Sequence, residues 1–252
     1  MKMKRMAELR APIVAILLSV VVFSPARAEK ADHQTADHEM PGMDDNAIHH
    51  AFRFQIDGAG NDQGGLVNWE GSGWIGGDVE RLALKTEGEM QNGHVERSEL
   101  WALYSRNVAT FWDLQAGVRQ DFDPRPTSYL VAGVQGLMSY FLETDAHVFL
   151  STKGDASARL EQSIDLPVSQ HLILEPHLKI DFSARDVPER GIGTGLSTAE
   201  AGVLLRYEIT RKFAPYLDLV YERALGNTAR FRRADGEDPG DLTLRAGIRF
   251  LF

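Results

Sequence analysis

The sequence predicts an all-β protein: an antiparallel transmembrane β-barrel of about twelve strands, preceded by a disordered N-terminal tail. Three observations carry that expectation. Short segments of alternating apolar and polar residues repeat from Ala51 to the end, the last of them has one continuous apolar face, and the chain opens with an export signal. In a strand, successive side chains point to opposite faces. The final segment therefore places Leu242, Leu244, Ala246, Ile248, Phe250 and Phe252 on one side, and Thr243, Arg245, Gly247 and Arg249 on the other. At about 3.3 Å per residue and a tilt near 45°, such a segment rises about 25 Å, the height of the apolar band on an outer-membrane barrel.

The export signal comes first. Lys2, Lys4, Arg5 and Arg10 precede the apolar run Ile13 to Phe23, and Ala26-Arg27-Ala28 supplies a small-x-small cleavage site, so residues 1–28 read as a secretory signal peptide. The run is too short to span a bilayer comfortably. Cleavage after Ala28 removes five basic residues and Glu8, taking the net charge from −9 to −13. An acidic chain without a basic cluster argues against nucleic acid and favours cations. No cysteine is present, which excludes a disulfide scaffold, a thiolate metal site and a cysteine-anchored lipoprotein.

Residues 29–50 form the second unit, with almost no large apolar residue and a net charge of −5; such a segment is expected to be disordered. Residues 51–252 form the third, the barrel. Its candidate strands are 51–57, 66–75, 80–88, 95–105, 110–120, 128–136, 139–150, 157–166, 171–183, 198–209, 213–224 and 242–252, an even number, which suits a bacterial barrel with both ends in the periplasm. In the ninth, Leu172, Leu174, Pro176, Leu178, Ile180 and Phe182 are expected to face lipid, while Glu175, His177, Lys179, Asp181 and Ser183 face the lumen. Pro176 has no N–H for the ladder and marks a bulge or a strand end. The odd-to-even connections, among them 184–197 and 225–241, read as the long extracellular loops. Trp69, Trp74, Trp101, Trp112, Tyr129, Tyr207 and Tyr221 are candidates for interfacial girdles, or else ordinary core aromatics.

The chemistry on offer is metal binding. Four of the eight His and two of the four mature Met residues crowd into the tail: His33, His38, Met40, Met43, His49 and His50. Thioether sulfur selects Cu(I) and imidazole suits Cu(II), so this mixture points to copper in either oxidation state. Within the barrel, Glu143, Asp145 and His147 share one strand face and Glu175 and His177 another, all lumenal. Two readings stand for these five: a relay of weak cation sites, or members of a charged network paired with Arg119, Arg159, Lys179, Arg206 and Arg249. No Gly-x-Ser-x-Gly, His-Glu-x-x-His or phosphate loop is present, so the chain is not expected to be an enzyme.

Two resemblances sharpen these expectations. Arg245-x-Gly247-x-x-Phe250-x-Phe252 resembles the C-terminal signal by which bacterial outer-membrane barrels are recognised for assembly. The strings Gly71 to Leu82, Lys85 to Glu89, Ala102 to Arg106, Trp112 to Arg119 and Glu200 to Glu208 resemble, in order, the copper resistance protein B family. That resemblance implies an outer-membrane barrel acting in copper resistance beside periplasmic copper-handling proteins, with its N-terminal tail in the periplasm. Members of the family often carry a longer tail of Met-Asp-His-x-x-Met repeats, here reduced to Asp37 to Met43. The expected function is to bind copper and help export it from the periplasm or sequester it there. The alternatives are an outer-membrane barrel hydrolase of phospholipase type and a soluble periplasmic ligand-binding barrel.

Overall fold

The structure, a computed structural model, describes residues 48–61 and 64–252; the export signal and His33, His38, Met40 and Met43 lie outside the described residues. The strands are β1 (His49–Asn61), β2 (Gly64–Gly76), β3 (Glu80–Gln91), β4 (His94–Ala109), β5 (Trp112–Asp123), β6 (Thr127–Leu137), β7 (Glu143–Ser151), β8 (Ala156–Ser163), β9 (Leu166–Pro167), β10 (Leu172–Ser183), β11 (Gly195–Tyr207), β12 (Phe213–Ala224) and β13 (Gly240–Leu251). Each pairs antiparallel with its neighbours, and β13 pairs with β1, so the sheet closes on itself. Short β8 and β9 both lie on β10 and act as one interrupted strand. The barrel therefore has twelve staves.

The interruption has a local cause. Ser163 pairs with His177 and Leu166 with Leu174, so the ladder breaks beside Glu175 and Pro176, where the proline has no N–H to donate. On its other side Pro176 keeps register with Val203. The irregularity expected at Pro176 thus falls on the partner strand. Two other boundaries also move. β1 begins at His49, so His49 and His50 pair with Gly76 and Ile75 and belong to the first strand, not to the tail. β7 begins at Glu143 because Ser139–Phe141 form a 3-10 turn, with Tyr140 at φ 65° and Phe141 at φ 61°.

Closure uses the last residue. The Phe252 amide donates to the Phe52 carbonyl at 2.9 Å, and the Phe250 ring lies 5.3 Å from Phe213 on the next stave. A closed ring leaves no open edge, as a bilayer demands of any spanning sheet. Its exterior is apolar: Leu114, Val118, Leu130, Val148, Leu150, Leu217, Leu219, Leu242 and Leu244 are all exposed. This outward apolar belt sets aside the soluble-barrel alternative. Tyr104, Tyr207 and Tyr221 also face outward, whereas Trp101 and Tyr129 are buried inside the hollow and Trp74 lies under Arg81 at 4.5 Å; these three are not girdle residues. Val118, midway along β5, tests the belt: Val118→Arg is expected to cost about 2–4 kcal/mol, read as earlier urea unfolding in lipid vesicles, whereas no loss would show that this face does not meet hydrocarbon.

The start of β1 and the end of β13 lie at one mouth, here the terminal mouth; the opposite one is the distal mouth. The two longest connections, 184–194 and 225–239, are both distal. The second holds an unforeseen helix, α1 (Gly226–Ala234), which packs on β11 and β12. These connections are stitched together: the Asp186 carboxylate accepts from the Asn227 side chain at 3.0 Å and from the Thr194 amide at 2.7 Å, and the Gly193 amide donates to Thr228 Oγ1 at 2.8 Å. Arg190 then reaches the far wall, pairing with Asp121 at 2.7 Å and with the Tyr129 hydroxyl.

The Asn227 and Thr194 donors hold the Asp186 carboxyl below its usual range. A depressed carboxyl stabilises the clasp above its unfolded pKa, and that contribution fades as pH falls through the lower folded value. The clasp should thus stay protected from hydrogen exchange at neutral pH and loosen only below about pH 4. Asp186→Asn should leave it loose at every pH; protection that ignores both acid and substitution would refute the clasp.

Candidate functional site

Alternation puts the polar side of every stave into the hollow, and the hollow is not uniform. Along β3 to β7 it is packed dry: Ala83, Trp101, Leu103, Tyr129, Val131 and Phe149 form a buried cluster. The Trp101 ring stands edge-on to His147 at 5.3 Å and to Phe149 at 5.1 Å. The Arg119 guanidinium lies 5.0–5.4 Å from the Trp101, Tyr129 and Phe149 rings. Such contacts let a cation be buried beside aromatic faces.

A lattice of ion pairs bounds this dry half. Glu99, whose side chain is 0% exposed, takes Arg159 at 2.7 Å and also pairs with Arg119. Arg119 pairs with Asp121 at 2.6 Å, and Arg159 continues to Asp181 at 2.9 Å and to Glu87 at 3.1 Å. Glu87 takes Arg97 at 2.9 Å and pairs with Lys179. In the strand order β3 and β10 are six staves apart either way round, so the Lys179–Glu87 bridge runs straight across the hollow. Lys85 on β3 likewise reaches Asp145 on β7. At the terminal mouth Glu175 is held by Arg249 at 2.8 Å and by Arg206, which also grips Asp165.

The structure therefore divides the five lumenal candidates. Glu143, Asp145, His147, Glu175 and His177 all sit on strands whose polar faces line the hollow, as alternation required. Asp145, His147 and Glu175 are committed to the network: Asp145 to Lys85 and to His147 Nδ1 at 2.7 Å, His147 Nε2 to Gln115 at 2.9 Å, and Glu175 to two arginines. Glu143 is exposed and makes no ion pair among the described residues, although it lies in the field of Arg53, Asp165, Glu175 and Arg249. Of the counter-ions expected for the five, only Arg206 and Arg249 hold one, Glu175; Arg119, Arg159 and Lys179 pair instead with Glu87, Glu99, Asp121 and Asp181. Among the described residues no three His, Asp or Glu side chains are drawn in tightly enough to hold a metal ion as they stand. Nor does any Ser hydroxyl hydrogen-bond a His ring among them, which a hydrolytic site would need.

The other half of the hollow, lined by β10 to β13, β1 and β2, is wetter and acidic. Asp57, His177, Glu200, Glu222 and Arg245 are half-buried there, and Glu89 of β3 stands in their field. Asp57 accepts from Tyr216 at 2.8 Å and from Asn68 at 2.9 Å. Gly247 between them allows this: a Cβ there would stand 2.6 Å from both Asp57 and the Tyr216 ring. Glu175 also lies on this side but is held by Arg206 and Arg249, which leaves His177 as the candidate there without an arginine among the described residues. Alternation revealed that it was lumenal, but its neighbours Glu200 and Asp218 come from other strands and could only be found once register was known.

Comparison with known proteins gives the fold and the family. The structure resembles the porin NanC with a TM-score of 0.53 at 12% identity, covering 80% of this chain and 99% of that one, a likeness of fold alone. A family profile described as "Copper resistance protein B precursor (CopB)" matches residues 50–252. A "Copper resistance protein B homolog" of Pseudomonas syringae pv. tomato is 43% identical over 190 residues, 75% of this chain and 65% of that protein. This chain thus spans just under two thirds of that relative's length. "Copper resistance protein B" of Escherichia coli is 36% identical over 226 residues, 88% of this chain and 76% of the other. Both relatives are named as resistance proteins, not as enzymes. The chain belongs to the copper resistance protein B family.

Proposed function

We propose that this barrel sits in the outer membrane, with its terminal mouth and N-terminal tail in the periplasm, and protects the cell by binding copper there. The observation that carries this reading is the crowding of His33, His38, Met40 and Met43 just ahead of exposed His49 and His50, where β1 begins beside the chain's C-terminus. Thioether and imidazole donors together accept Cu(I) and Cu(II), and the tail's Asp32, Asp37, Glu39, Asp44 and Asp45 raise the local cation concentration. Periplasmic copper-handling proteins are the expected source of the ion. The ion pairs across the hollow favour sequestration at the periplasmic mouth over free outward flow, and export requires that lattice to open.

Deleting residues 30–47 spares β1 and tests the tail. The deleted protein is expected to fold as a barrel, to bind fewer copper ions per chain in equilibrium dialysis, and to give its host less copper tolerance. Unchanged stoichiometry under both oxidising and reducing conditions would reject the tail's role.

A further inference from the structure

We infer that His177, Glu200 and Asp218 form a lumenal binding site for divalent copper, separate from the tail. The three come from adjacent staves β10, β11 and β12. His177 Nε2 stands 3.8 Å from Asp218 Oδ2 and 4.0 Å from Glu200 Oε1, too far for hydrogen bonds. Neither carboxylate makes a hydrogen bond among the described residues. Asp218 is only 6% exposed, and its Oδ1 is buried without a partner. A buried carboxylate with an unmet oxygen is costly unless a cation or donor completes it.

The imidazole is aimed by the absence of a side chain. Gly202 pairs with His177 across the β10–β11 ladder, and a Cβ at Gly202 would stand only 2.3 Å from His177 Nε2. The ring therefore lies over Gly202 and carries Nε2 across β11 toward β12. Arg245, opposite Asp218 on β13, makes no ion pair among the described residues, although its Nε is buried. It faces the cluster beside Asp57, Glu200, Asp218 and Glu222; Lys179, opposite Glu200 on β10, is turned to Glu87 and Glu161, and Glu222 is already held by Arg232 at 2.7 Å. The local balance is negative.

The spacing suits a metal. Cis donors about 2.0 Å from one tetragonal Cu(II) stand roughly 2.8 Å apart, so side-chain shifts of about 1 Å bring His177 Nε2 and each carboxylate onto one ion. One imidazole nitrogen with carboxylate oxygens suits Cu(II), which stands highest in divalent affinity, and lacks the soft sulfur that Cu(I) prefers. The site thus differs from the Met-containing tail in the oxidation state it selects. It rests on the copper reading for the identity of the ion, but its residues are distinct.

The test uses the mature full chain, refolded in detergent and titrated with Cu(II) under oxidising conditions and with Cu(I) under reducing ones, beside a second, tail-substituted chain in which His33, His38, Met40 and Met43 of the tail, together with His49 and His50 at the start of β1, are replaced by Ala. The tail-substituted chain is expected to retain one Cu(II) per barrel, with electron paramagnetic resonance couplings from imidazole nitrogen, and to bind no Cu(I). His177→Gln, Asp218→Asn or Gly202→Ala in that background should weaken the Cu(II) at least tenfold and remove the nitrogen coupling. Glu200→Gln, at a more accessible position, supplies the same readout should a buried variant fail to fold, with heat-modifiable gel mobility reporting the folded barrel. If the tail-substituted chain binds no Cu(II), or the trio variants bind it as before, the lumenal site is wrong. Loss of copper from the tail variants alone bears only on the tail.

Discussion

Glu99→Ala is expected to destabilise the folded barrel by about 3–5 kcal/mol, because it removes one partner from a buried ion-pair network and leaves the other uncompensated. Glu99 is fully enclosed and bridges Arg119 and Arg159, each with a side chain under a tenth exposed. Both arginines also hold other carboxylates, Asp121 and Asp181, but each loses the one acceptor they share. Glu99→Gln keeps the shape and loses the charge, and should fall between the two. The measurement is urea unfolding in vesicles, followed by tryptophan fluorescence, since Trp101 lies beside this lattice. A variant as stable as the parent would mean that water fills this half and the packed interior is wrong.

The sequence made the barrel legible because a lipid-facing wall needs period-2 alternation in every stave, and that pattern survives in each of the twelve. The ends were less legible. His49 and His50 are polar enough to pass for tail, yet backbone pairing with Gly76 and Ile75 makes them strand. α1 was missed because Gly226–Ala234 sits in a connection that alternation treats as loop, and only its packing on β11 and β12 gives it a face to bury. For the lumen, alternation told inside from outside but not wet from dry. Glu175 and His177 share a face two residues apart, but Glu175 meets two arginines whereas His177 lies over a glycine toward two carboxylates. Those differences are set by which strands lie opposite, information that exists only after the ring has closed. Trp101 and Tyr129 were ambiguous for the same reason, since an aromatic on a stave serves equally as a girdle residue or as lumenal packing.

The largest functional change is expected from the double variant Lys179→Ala with Glu87→Ala. These two residues join diametrically opposed staves, so their removal clears the span between β3 and β10. Deleting both partners leaves no isolated charge from that pair, which is far less costly than breaking it from one side. Arg159 keeps Glu99 and Asp181, and Arg97, whose side chain is 43% exposed, turns to water. The barrel should thus still close, with its acidic half continuous with the space the bridge occupied. In planar bilayers the parent is expected to show no resolvable steps, and the double variant steady ohmic steps that favour cations, because acidic groups lining a pore admit cations. Raising the salt should weaken that preference as screening shortens the reach of the lumenal carboxylates. Equal conductance in parent and variant would show that the lattice does not close the pore. Copper would then have an open route out through the wet half, past His177 and Asp218, and export would displace sequestration as the barrel's part in resistance.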